Sequence, residues 1–79
     1  MILTQAVEEI LDFLAAGTTP ESIANFRPSQ AAQSRTQELI ARRGESTITP
    51  AEDEELEEYL RLEHLMIMAK ARARIRLQP

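Results

Sequence analysis

The chain has no cysteine and no tryptophan, two glycines, and three aromatic residues in all, Phe13, Phe26 and Tyr59. Each scarcity removes a class of protein. Without cysteine no disulfide or thiolate metal site can staple the fold, and nothing points to an oxidising compartment. Three aromatics are too few for a base-stacking platform. There is no Gly-rich phosphate loop, and one histidine with one tyrosine leaves few sets of nucleophile, base and oxyanion donor, so no catalytic residue, metal ligand or cofactor is assigned. No run approaches the roughly 20 apolar residues of a membrane span. Residues 1–7 are uncharged but too short for a signal peptide and lack its basic flank, so a cytoplasmic location is expected, with no membrane partner.

What remains is 79 residues carrying nine basic and thirteen acidic groups, a net charge of −4. A chain of this size buries only about 60% of the surface it exposes when unfolded, so its stability rests on a thin core or on an oligomer. The charge is graded along the chain. Every acid lies at or before Glu63, whereas Lys70, Arg72, Arg74 and Arg76 follow it. A negative overall balance opposes a protein whose whole surface grips nucleic acid, but leaves room for a local basic patch.

Apolar spacing and punctuation predict an all-α chain: two to three short helices packed on one long C-terminal helix, in a single domain with helices at about 2–16, 20–26, 30–43 and 50–77. In the first, Leu3, Val7, Ile10 and Leu14 recur at helical spacing with Leu11 and Phe13 beside them, Glu8, Glu9 and Asp12 fall on the other side, and Gly17 suits the left-handed end. Thr19 before Pro20 and Glu21 is an N-cap signal, and Pro28 ends that segment after one or two turns. Ser29 caps a third helix that closes at Gly44, with a poor apolar face of Ala32, Leu39 and Ile40. In TPAE, Thr49, Pro50 and Glu52 form a capping box, and no glycine or proline follows until Pro79. This last helix would run roughly 42 Å at 1.5 Å per residue, room for helices one and three laid end to end.

The end of that helix, KARARIRLQP, alternates cations with apolar residues as far as Leu77, which is the period of a strand. No other segment reads as a partner strand, and alanine at two of the apolar positions favours helix. On a helix, Lys70 and Arg74 share one edge and Arg72 and Arg76 the other. Acids in the first turns and cations in the last also match the helix dipole. The apolar residues from Leu60 onwards nevertheless encircle much of the helix, and a helix apolar on more than one face needs cover on more than one side. A partner surface of Leu62, His64, Leu65, Met66, Ile67 and Met68, flanked by the basic patch Lys70, Arg72, Arg74 and Arg76, is expected from this. On that reading Met66→Glu abolishes a complex and leaves helicity intact.

Two charged groups have less pointed readings. The acids of residues 52–58 point in many directions on a helix and lack the loop glycine and spacing of a calcium-binding hand. Arg35, Glu38 and Arg42 share one helix face and can pair locally, while Arg43 and Arg27 could extend them towards an anion site.

Taken in order, TPESIANFRPS, STITPAEDEELEEYL and RLEHLMIMAKARA resemble a family of small, functionally unassigned bacterial proteins, frequent in cyanobacteria, often encoded beside an HNH-type endonuclease. The resemblance covers nearly the whole chain through Phe26, Arg27, Pro28 and Ser29, the cap Thr49 and Pro50, and Leu62, Glu63, His64, Leu65, Lys70, Ala71 and Arg72. It departs in the third helix, where alanine, serine and threonine replace longer side chains. What it implies is a protein partner, an HNH-type nuclease that this chain inhibits as an antitoxin or assists as an accessory. Two other expectations stand beside that one: a DNA-binding or regulatory module using the basic helix end, and a homodimer of antiparallel last helices.

Overall fold

The computed structural model describes residues 5–79, and among them every regular element is a helix: α1 (Gln5–Ala15), α2 (Pro20–Asn25), α3 (Gln30–Gly44) and α4 (Pro50–Leu77). The expected start near residue 2 and the core position Leu3 lie outside the described residues.

Hydroxyl caps set three of the four starts. The Thr19 hydroxyl accepts from the Ser22 backbone N–H at 3.1 Å, while the Thr19 N–H donates to the Ser22 hydroxyl at 2.9 Å. Ser29 accepts from the Ala32 N–H at 3.1 Å. Thr49 accepts from the Glu52 N–H at 3.1 Å and donates its own N–H to the Glu52 carboxylate at 3.0 Å. Each cap satisfies N–H groups that the helix itself leaves unpaired.

The ends differ from one another. Gly17 follows α1 with φ +91°, the left-handed position expected of it. Gly44, expected to do the same for α3, is instead the last helical residue, and the left-handed residue is Ser46 at φ +60°. There the Thr47 N–H donates to the Arg42 carbonyl at 2.9 Å and the Ser46 N–H to the Arg43 carbonyl at 3.2 Å. This is the double bond pattern of a Schellman end, set two residues later than the glycine.

Along α4, Leu56, Tyr59, Met66 and Ala73 are buried, at steps of three, seven and seven, so one side of the helix is covered from end to end. The long helix is a spine within a molecule of 48 × 22 × 20 Å. Its first half carries α3, running antiparallel to it, with Arg35 meeting Glu55 and Arg43 meeting Asp53. The middle meets α1, where Ala6 and Ile10 join Ala32, Tyr59 and Met66 in one core cluster. An end-to-end pair of α1 and α3 is therefore an incomplete account of the cover. The most extensive contact with α4 comes from the six-residue α2, whose Pro20 and Ile23 border one cleft with Ala69 and Ala73.

The buried side of α1 is also rotated from the expected stripe. Ala6, Val7 and Ile10 are buried and Phe13 stacks on Phe26 with ring centroids 4.5 Å apart, while Leu11 and Leu14 stay exposed. The same rotation brings in Glu9, expected on the solvent side. Its carboxylate accepts from the Ser29 N–H at 2.8 Å and the Ser29 hydroxyl at 2.6 Å, which ties α1 to the start of α3.

Candidate functional site

Charge pairing divides the molecule into a neutralised half and an unneutralised end. Arg43 donates to Asp53 and to Glu57, both at 2.6 Å, and Arg35 to Glu55 at 3.0 Å. Arg42 pairs with Glu38 and Glu52. The three arginines of α3 thus pair with acids at the start of α4, and Arg35 and Arg42 also with Glu38 on their own helix. The carboxylate of Glu52 is held below its usual range, chiefly by the Thr49 backbone N–H, with Arg42 and Arg35 adding to the effect. Ser29 does the same for Glu9, its backbone N–H first and its hydroxyl second. By contrast Arg27, Lys70, Arg72, Arg74 and Arg76 have no ion pair among the described residues.

The six residues expected to form one partner surface are split three ways. Met66 is 5% exposed and belongs to the core cluster, and Leu62 packs half-buried against it. Met66 is a correction: its side chain lies in the core with residues of α1 and α3, so it does not face a partner, whereas Leu62 is only half covered. Ile67, 56% exposed, lies at the rim of a cavity of about 340 Å³ that it shares with Ile10, Phe26, Arg27, Glu63 and Lys70. His64, Leu65 and Met68 stand on the outer side of α4, opposite the core, with Leu65 52% and Met68 47% exposed. The reason is geometric. At about 100° per residue, six neighbours on a helix must spread around the whole cylinder, however apolar they are.

Ile75, which reading the sequence left out of the partner surface, is 68% exposed on the same outer side as Met68, seven residues further on. A seven-residue step returns a helix to nearly the same face, and counting forward from Met68 identifies it. Arg72 and Arg76 border this side with Ile75. Lys70 faces the cavity on the other flank, so the four terminal cations form two edges and not one patch.

Inside the cavity wall, Tyr59 is buried, and burial first, then the nearby Glu63 carboxylate, push its hydroxyl up to about 12. It therefore stays protonated near neutral pH, where its hydroxyl is hydrogen-bonded to Glu63. No group of three or more His, Asp or Glu side chains is placed to hold a metal among the described residues, and none of their helices is long and apolar enough to cross a membrane. In comparisons with known proteins, the chain matches no family model, no curated protein and no solved structure.

Proposed function

We propose that this is a non-enzymatic protein–protein interaction module that binds its partner through the outer face of α4, with an HNH-type nuclease as the partner. The observation that supports this most directly is the row of Leu65, Met68 and Ile75, about half or more exposed on one side of the longest helix, next to Arg72 and Arg76, which have no ion pair among the described residues. Large apolar side chains aligned in this way lose water-exposed area when a partner covers them, at roughly 25 cal/mol per Å². The resemblance of the TPESIANFRPS and RLEHLMIMAKARA stretches to proteins encoded beside such nucleases supports the choice of partner. Between inhibitor and accessory, the ion pairs favour the accessory role. Carboxylates already neutralised by Arg35, Arg42 and Arg43 are poor mimics of phosphate.

The test is to mix the purified protein with an HNH-type nuclease from the same genome and measure complex mass by light scattering. A complex is expected with the natural chain and with Ile67→Glu, and none with Leu65→Glu/Met68→Glu, while circular dichroism stays unchanged. Binding by the double variant as tight as by the natural chain ends the proposal. A second reading, DNA binding by the terminal cations, is favoured only by their lack of ion pairs. It predicts an affinity that falls steeply between 50 and 200 mM salt, on the order of a hundredfold for four phosphate contacts. No mobility shift at low salt excludes it.

A further inference from the structure

We infer that the outer face of α4 is built to pair with a second copy of itself, antiparallel and in one register. This rests on the same face as the proposed function, and names the occupant that covers it when no other partner is bound.

The inference comes from a symmetry in the exposed row. Starting at Glu54, the outer positions are Glu54, Glu57, Arg61 and His64, at steps of three, four and three. Continuing from Leu65, they are Leu65, Met68, Arg72 and Ile75, again at three, four and three. All eight side chains are exposed. Because the two halves have the same spacing, turning a second α4 about a two-fold axis between His64 and Leu65 sets each half of one chain against the other half of its mate. Glu57 then opposes Arg72, Glu54 opposes Ile75 with Arg76 alongside, Arg61 opposes Met68, and His64 opposes Leu65.

Charge decides the direction. The first half of this face carries Glu54 and Glu57 and the second carries Arg72 with Arg76 alongside, so an antiparallel pair sets opposite charges together at both ends, whereas a parallel pair sets Glu54, Glu57, Arg61 and Arg72 each against its own copy. Among the described residues Arg72 and Arg76 have no ion pair, and neither does Glu54. Glu57 is held by Arg43 at 2.6 Å and remains half exposed, so it can accept from a second guanidinium. The row from 54 to 75 is roughly 32 Å long at 1.5 Å per residue. With the width of one helix this makes a contact below the standard interface size, which gives a weak dimer that depends on concentration and that a better partner can displace.

The chain has no cysteine of its own, so introduced thiols report on this contact alone. First, the solution mass is measured by light scattering over a concentration series at low and high salt. It should rise from the 8.9 kDa chain mass towards twice that value, and fall back at high salt. Second, three single variants are oxidised. Leu65→Cys, beside the axis, should crosslink with itself. Glu54→Cys and Ile75→Cys should crosslink little alone and at least fivefold more when mixed. Two results overturn the inference: a chain that stays monomeric at high concentration and low salt, or Ile75→Cys crosslinking alone as readily as in the mixture, which marks a parallel pair. Neither assay contains the nuclease. A monomer that binds it refutes only the dimer, and a dimer that never binds it refutes only the proposed function.

Discussion

Serine at position 46 occupies backbone space that favours glycine, while the glycine two residues earlier sits in a helix with no special conformation. A left-handed residue with a side chain costs about 1 kcal/mol, and Gly44 has open space where a Cβ would stand. Both Ser46→Gly and Gly44→Ala should therefore raise stability, the second by about 0.4–1 kcal/mol, read as a higher urea midpoint. Met66 carries the opposite lesson. A carboxylate at this core position destabilises the fold through its desolvation, so Met66→Glu should lose helical signal and reveal nothing about partners. Leu56→Ala should cost about 2–5 kcal/mol, since Leu56 is 1% exposed. Like Glu52, Glu9 contributes to the acid limb of stability. Its folded value is depressed below 4.5, so the stability it contributes is complete above that value and is lost as pH falls through the lower folded one. Glu9→Gln should flatten the fall in Tm between pH 5 and pH 3.

At the scale of the element, helix starts were legible because a cap is a local event. Threonine or serine before a proline or a polar turn satisfies nearby N–H groups whatever the rest of the chain does. Thr49→Ala should lower stability by about 1 kcal/mol and fray the first turn of α4, measurable by faster amide exchange at Glu52, whose N–H donates to the Thr49 hydroxyl, and at Asp53 beside it. The end of α3 was less legible, because a Schellman turn accepts any residue that can tolerate φ > 0, and the better glycine was passed over. The strict alternation in KARARIR, a strand signal by period, lies in a helix because the described residues offer no partner strand and the preceding turns are already helical. Which face of a helix is buried was the least legible property. In α1 the choice between Leu14 and Phe13 depended on where Phe26 arrived from the following turn.

For the whole molecule, the graded charge has a definite consequence: most of the acids at the start of α4 pair with arginines at the surface, and the cations at its end have no ion pair among the described residues. The arginines responsible, Arg35, Arg42 and Arg43, are on a helix that contributes little apolar surface, so α3 is held to α4 partly through a row of ion pairs. Exposed pairs of this kind contribute a few tenths to about 1 kcal/mol each and weaken with salt. Reversing one of them, as in Arg43→Glu, should lower the thermal midpoint at low salt by more than at high salt. Sequence by itself determined the all-α class, the caps and the length of the last helix, since each of these follows from neighbours within a few residues. Only the tertiary structure decided which of the adjacent Leu65, Met66, Ile67 and Met68 lies inside, which borders a cavity and which faces out. Those four differ in angle around one helix and not in chemistry, so the decision belonged to the helices packed against it.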